Sequence, residues 1–436
     1  MKKAKNQRSF SIIKLRLVKV ISFIKASKNN LPDDYEILVA RTAKGIDAIR
    51  KIWENMQSHP NSDIDFYLSV IKSRQNIISP YVMLLKHNGL PITLLLGRVE
   101  NYPFSLNFGY KTIYTLNIRT LIIIYEGILG DNSYENCHLL FNELLHSFHN
   151  EKINLIFLSS LKNNSNFYNI YNTEVNYFFR DHVPVPNSHW RMAMPDNMDE
   201  FYKMRSRKHR YWLRRITKVL DKDFMGNTQI KVFFKKDDVD TLCNDVEQVA
   251  SKTYHRGLGA GFIDSIETRK MFAHLTEKSK LRAYILYIND KPSAFWIGRQ
   301  YNNTFYLAYT GYLREFEKYE LGTILFLKML EDLCATKKNN YIDFGFGDAP
   351  YKKRFGDTNW QESSVYIFPH TLGGLLLNVA RTITALGYQL SIGTLKRFNL
   401  LEKVKKIWRR RLAKGTVRNS RNNEINQGTK NDSIGK

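Results

Sequence analysis

Apolar positions along this chain fall into short runs of two kinds, some unbroken and some spaced by three and four. Tyr81 to Leu85 and Ile92 to Gly97 are apolar runs on either side of Asn88-Gly89, a dipeptide that tolerates positive φ, and together they predict a β-hairpin. Leu121 to Tyr125, Ile153 to Leu158, Thr304 to Thr310 and Tyr341 to Phe344 predict further buried strands. Between them, Ile46, Ile49, Ile52 and Trp53, then Leu139 to Phe148, then Ile324, Leu325, Leu327, Met329 and Leu330 predict helices. Strands interleaved with helices predict an α/β chain of the layered α+β kind.

The pattern occurs twice. With Tyr81–Arg98 (YVMLLKHNGLPITLLLGR) set over the stretch from Ala283 (AYILYINDKPSAFWIGR), Asn88, Pro91, Gly97 and Arg98 fall on Asn289, Pro292, Gly298 and Arg299 without a gap. The helix and strand at 139–158 then correspond to those at 324–344. A repeat this long is a duplicated domain, not a solenoid. The expected organisation is a basic amphipathic segment (1–34), a first domain (35–195), a basic connecting helix (196–225), a second domain (226–370), basic amphipathic C-terminal helices (371–414) and a disordered tail (415–436). Each domain is expected to hold a mixed, mostly antiparallel sheet flanked by helices. The copies differ after their last matched strand. The second continues as YIDFGFGDAPYKKRFG (Tyr341 to Gly356), a strand that opens into glycines, a tyrosine and cations, whereas the first has Leu158, Ser159, Ser160 and Leu161. This places the chemistry in the second copy and leaves the first as support or substrate platform.

Charge narrows the partners. The 436 residues carry a formal net charge of +25, which calls for nucleic acid, anionic lipid or a phosphate-bearing substrate. Cys137, Cys243 and Cys334 are too far apart for a disulfide framework or a CxxC metal pair, so no metal and a reducing cytoplasm are expected. His146 and His149 can share a helix face, but no further ligand is near, and they read as exposed helix residues. Near the N-terminus Ile13, Leu17, Val20, Ile21 and Ile24 fall at helical spacing, and Lys14, Arg16 and Lys19 break the apolar core that a secretory signal needs. Such a helix suits peripheral contact with an anionic membrane at its inner face, or packing on its own protein. Leu395 to Lys414 has the same character, and the apolar stretch 371–390, with Asn378 and Arg381 inside it, makes a poor membrane span.

Several residues are candidates for the chemistry itself. Phe201 to Lys222 predicts a basic helix, with Arg207, Arg210, Arg214 and Lys218 facing an anion, or solvent if it is only an interdomain helix, and Met204, Tyr211, Leu213 and Ile216 facing inward. Gly322 and Thr323 stand where a helix begins, and the free N–H groups of a helix start attract phosphate. His255 and Arg256 follow a predicted helix, where they contact substrate or form a capping turn.

The order of these pieces carries a resemblance. A basic helix (Arg205 to Leu220), a hairpin ending AFWIGR, a Tyr-x-x-Gly helix start (Tyr319 to Gly322), and DFGFGD followed by YKKRFG resemble the BioF2-like or CelD-like acetyltransferases of the GNAT superfamily. These are similar in architecture to the Fem-type peptidoglycan aminoacyltransferases, which also hold two tandem GNAT domains. The resemblance covers 35–368 and is most specific from Arg205 to Gly356. It implies an N-acyltransferase that moves an acyl group, acetyl from acetyl-CoA or another acyl-CoA, to an amine on a sugar, sugar nucleotide or related anionic metabolite in polysaccharide or cell-envelope biosynthesis. It implies that Tyr319, Gly322 and Thr323 receive the donor's phosphates. It implies catalytic roles for Asp343 in deprotonating the amine, Lys352 in stabilising negative charge and Tyr351 at the leaving group. Arg207, Arg210, His255 and Arg256 remain expected substrate contacts. One departure stands out: Tyr319 and Ile324 occupy positions where the general GNAT pyrophosphate loop has Arg or Gln and Gly or Ala. The alternatives are a Fem-like transferase that takes its donor from aminoacyl-tRNA, and a non-enzymatic protein that binds nucleic acid or an anionic surface.

Overall fold

Asn88 and Gly89 turn with φ of 50° and 76°, and at the matching point of the second copy Asn289 and Asp290 turn with φ of 50° and 60°. The computed structural model in which these hairpins are seen describes residues 24–26, 31–109, 111–253, 256 and 261–397. The described residues fall into two units, the first comprising those up to Ser188 together with Trp360–Gly393, the second His189–Asn359 and those from Thr394.

The first unit is built on β1 (Ile24–Ala26), β2 (Tyr35–Ala40), β3 (Ile77–His87), β4 (Leu90–Phe108), β5 (Lys111–Gly130), β6 (Leu155–Lys162) and β13 (Thr358–Ile367), which neighbour one another in that order. All pairs are antiparallel except β5 and β6, which run parallel where Thr120–Ile123 meet Leu155–Leu158. A parallel pair needs a crossover, and helix α4 (Tyr134–Asn150) supplies it, capped by the Ser133 hydroxyl. Tyr81, Met83 and Leu85 of β3 pack with Leu140, Phe141 and Leu144 of α4. Val82 and Leu84 point the other way, toward Trp53 of α2 (Arg50–Met56) and Tyr67 of α3 (Ile64–Ser73), which follow the short α1 (Ala43–Ala48). Burial on both faces is why β3 reads as an unbroken apolar run instead of an alternating one. Helix α5 (Asn166–Glu174) belongs to this unit, and α12 (Leu372–Arg397) returns to it after β13.

The second unit repeats the plan with β7 (Pro186–Ala193), β12 (Tyr341–Phe346), β11 (Thr304–Tyr312), β10 (Lys291–Tyr301), β9 (Leu281–Ile288) and β8 (Thr228–Phe233) as neighbours in that order. Its parallel pair is β11 with β12, joined through α10 (Leu321–Thr336). Tyr284, Leu286 and Ile288 of β9 face one core with α10, while Ala283, Ile285 and Tyr287 face another with α8 (Val239–Ala250) and α9 (Ile266–Glu277). The matched glycines have one job in both copies. A Cβ on Gly97 would stand 3.0 Å from the Ile122 carbonyl oxygen, and one on Gly298 would stand 2.9 Å from that of Tyr306, so each lets the next strand close up. Each unit is finished by a strand remote from its own repeat: β13 pairs with β6, and β7 pairs with β12.

Some expectations are corrected here. The basic stretch 201–222 forms two helices, α6 (Met198–Lys203) and α7 (Arg207–Phe224), because the Ser206 hydroxyl accepts from the His209 N–H and starts the second afresh. With that phase Leu213, Ile216 and Leu220 are buried, whereas Met204 and Tyr211 are exposed. Met204 closes α6, and Tyr211 sits two residues, or about 200°, from Leu213 around α7. Ile24 belongs to a strand and not to a helix. The rest of the N-terminal helix expected from Ile13, and the segments 398–414 and 415–436, lie outside the described residues. No helix of the described residues is long and apolar enough to cross a membrane.

Candidate active site

The two parallel strands of the second unit share three register pairs, from Thr304 with Tyr341 to Tyr306 with Asp343. Beyond them β12 stays paired to β7 as far as Phe346, while β11 stays paired to β10 as far as Tyr312. Parallel strands that part at their carboxyl ends open a crevice there, which is where α/β sheets take ligands.

Asp343 stands at the parting point. The β12 register slips between Asp343 and Gly345, and Gly345 and Gly347 follow with φ of 66° and 100°. Both backbone conformations favour glycine, and no atom lies within 4 Å of where either Cβ would be. The Asp343 carboxylate is buried. Its Oδ1 accepts from the Gly345 N–H at 2.8 Å and lies 2.7 Å from Nε2 of His189, which is 2% exposed on β7. Asp343 pairs with neither Lys353 nor Arg354, the cations that follow it on the chain. Lys353 faces Asp348 at 3.7 Å, and Arg354 lies 3.7 Å from Glu320 and 4.4 Å from the Trp212 ring centre.

The run after Gly347 is a short helix, α11 (Pro350–Phe355), with proline in its first turn. One turn of helix sorts its cations. Lys353 is exposed, while Lys352 is buried with Phe355 on the inner side. The Lys352 ammonium donates to the Phe346 carbonyl oxygen. Burial brings its pKa from 10.5 down to about 8, against the opposing pull of the Asp343 and then the Asp348 carboxylates. The Tyr351 ring stands edge-on to Trp296 at 5.2 Å and to Phe344 at 6.0 Å.

Trp296 also ties this helix to the start of α10, since its indole N–H donates to the Gly322 carbonyl at 2.9 Å. Leu321 and Gly322 open α10 with N–H groups that have no intrahelical acceptor, whereas the Thr323 and Ile324 N–H groups donate to the Glu320 carbonyl at 2.8 and 3.1 Å, and the space beside Gly322 is clear to 3.9 Å. Thr323 donates its hydroxyl to the Glu320 carboxylate at 3.3 Å. Glu320, in the left-handed region at φ 56°, sets this carboxylate beside the helix start with Arg354 as its cation. Trp296 thus touches both Gly322 at the start of α10 and Tyr351 of α11, and Asp343 is near enough to Lys352 to pull on its charge.

The other predicted residues are placed elsewhere. Tyr319 is buried, and its hydroxyl donates to Asp223 at 2.8 Å, so the side chain ties α7 to the turn before α10. Arg210 donates to the Tyr202 and Arg205 carbonyls and closes the end of α6. Arg207 is exposed at the start of α7. Arg256 grips the Glu247 carboxylate at 2.7 Å and the Phe262 carbonyl at 2.9 Å, a clamp on its own loop. His255 lies outside the described residues. His189 is the residue that the sequence reading missed: 154 positions from Asp343, on a strand that pattern alone assigns to the first copy, it carries no local signal. Among the described residues no group of three or more His, Cys, Asp or Glu side chains is arranged to hold a metal ion.

Residues 207–353 match the family model described as an acetyltransferase (GNAT) domain. Solved structures with a similar course of chain include FemX (12% identity, 73% of this chain and 96% of that one, TM-score 0.49). They also include the tandem GNAT protein from the clavulanic acid biosynthesis pathway (9%, 77% and 99%, TM-score 0.46). A third is L-PGS from Bacillus licheniformis (11%, 77% and 96%, TM-score 0.45). No curated protein matches the chain.

Proposed function

We propose that the second unit, whose residues 207–353 match the GNAT acetyltransferase family model, carries an acyl group from a phosphate-bearing thioester, acetyl-CoA in the first place, to the amine of a sugar, sugar nucleotide or related anionic metabolite in polysaccharide or cell-envelope biosynthesis. The donor's phosphates would meet the first turn of α10 at Gly322 and Thr323, and its thioester would lie where β11 and β12 part. The amine nitrogen attacks the thioester carbonyl, a C–N bond forms, the C–S bond breaks, and the nitrogen's proton must go to a base. Asp343 is the carboxylate at that point, and His189 positions it by holding one oxygen. Lys352 acts as an ammonium, one proton on the Phe346 carbonyl and two left for the oxyanion and the departing sulfur, while Tyr351 lines the leaving-group side. The observation that carries this reading is the buried Lys352, since an ammonium kept from water needs a reason to be there.

A pH profile follows. Transfer that needs the Lys352 ammonium falls as pH rises through about 8, where an ordinary lysine would hold its proton to about 10. In Asp343→Asn the largest opposing carboxylate is gone, so this falling limb moves to lower pH and the rate at the optimum drops. A limb that stays in place would show that the two groups do not act on one another.

Glu320 favours a second reading. A carboxylate beside the start of α10, bonded to the Thr323 hydroxyl, repels a pyrophosphate brought to the same place, and a net charge of +25 suits a larger polyanion. In that reading the donor is an aminoacyl-tRNA. Calorimetric titration with acetyl-CoA, beside a tRNA shift assay at rising salt, separates the two. Saturable acetyl-CoA binding supports the first. Salt-resistant tRNA binding with no heat from acetyl-CoA replaces it with the second. Failure of both ligands removes the transferase reading.

A further inference from the structure

Helix α12 is fastened to its own unit by polar pins. The Asn378 amide donates to the Phe178 and Arg180 carbonyls at 2.9 Å each, and Arg381 binds the buried Asp181 carboxylate at 2.8 Å. Its outward side is the reverse of what water selects. Leu372, Leu376, Val379, Ile383, Leu386 and Leu390 are between 45% and 73% exposed. Their alternating steps of four and three keep all six on one stripe, about 27 Å long at 1.5 Å per residue. Exposed aromatic residues flank it. Tyr177 and Phe178 stand beside the pinned half, and the Phe108 ring meets Tyr388 at 5.7 Å near the far half. Phe108 closes a hairpin end that also exposes Ile113 and Tyr114.

Charge decides what covers such a face. The sequence holds no Asp or Glu between Glu362 and Glu402, and from Lys396 to Lys414 it holds nine lysines and arginines against that one Glu402. A second copy of the chain would bring like charge to like charge along a parallel seam, and the positions beside the stripe, such as Thr382, Ala385 and Gln389, offer no opposite charges to fix a register. An anionic lipid surface meets both features, taking the apolar stripe and its aromatics at the acyl boundary and the basic stretch at the headgroups. We propose that α12 lies flat on an anionic phospholipid bilayer, stripe down. This surface is independent of the acyl-transfer reading and stands or falls without it.

The test uses the full chain and phosphatidylcholine vesicles with and without phosphatidylglycerol. Co-sedimentation is expected to be at least about tenfold stronger with the anionic lipid, and Leu376→Gln, Ile383→Gln and Leu386→Gln together lower it by about tenfold or more, since binding scales with apolar area inserted. These side chains are exposed, so the melting midpoint of the triple variant stays at the wild-type value. As a second readout that keeps the stripe apolar, Ile383→Trp is mixed with vesicles whose acyl chains are brominated, and quenching of its fluorescence above the wild-type level is expected. Sedimentation that survives the triple substitution, with no added quenching in Ile383→Trp, overturns the proposal by leaving charge alone as the cause. A wild-type dimer that the triple substitution converts to monomer, with no vesicle binding by either, overturns it in favour of a second copy.

Discussion

Lys352→Met is expected to cost at least a hundredfold in acyl transfer and yet to raise the stability of the protein. The loss follows from removing a charged donor aimed at developing negative charge, a change worth about 2.7–4 kcal/mol in comparable sites. The gain follows from the penalty on a buried ammonium. A pKa brought from 10.5 to about 8 corresponds to roughly 3 kcal/mol of disfavoured charge in the folded state, and methionine fills similar space without it. The pH dependence has a definite sign. Below pH 8 the folded and unfolded chains both hold the proton and the penalty is complete. Between 8 and 10.5 the unfolded chain binds more protons than the folded one, so wild-type stability rises with pH and the advantage of the variant shrinks. Urea unfolding of both proteins at pH 7 and pH 10, beside initial rates at pH 7, measures all of this. A variant that transfers at the wild-type rate would remove Lys352 from the mechanism, and one less stable at pH 7 would show that its charge is better paired than burial implies.

The second large effect is expected at Phe355. It is fully buried, its ring stacks on Phe326 at 4.5 Å, and its carbonyl accepts from Arg205 at 3.3 Å. Helix α11 has six residues, too few to persist in water, so packing holds it in place, and Phe355 is its most deeply buried ring. Phe355→Ala should therefore cost about 3–5 kcal/mol of stability, the usual price of a cavity of that size in a core. Activity should fall with it, because Lys352 stands three residues earlier on the same turn. Phe355→Leu keeps most of the contact and should lose far less of both. Equal losses in the two variants would mean that the helix is positioned by something other than this ring.

The sequence makes the repeat legible because it is written in local terms. Apolar runs, Asn-Gly and Asn-Asp turns and the paired glycines depend on period and on backbone freedom, both of which a linear string displays. The opening beyond β12 was legible for a related reason. Gly345 and Gly347 hold φ values that favour glycine, and Pro350 starts a helix, so their order announces a strand that stops and reopens. Tyr319 shows the opposite case. Its place before the helix matches a motif, but its hydroxyl binds Asp223, 96 positions earlier, and nothing local foretells that contact.

By itself, then, the chain determined its hairpins, its duplication, its turns and the strand that ends in glycines before a short helix. Tertiary structure alone decided that Lys352 is buried while Lys353 is exposed, that His189 holds Asp343, and that β7 and β13 join the units they do. These outcomes depend on strand register and on which helix face another element covers, and both are set by long-range packing whose partners lie far apart in the string.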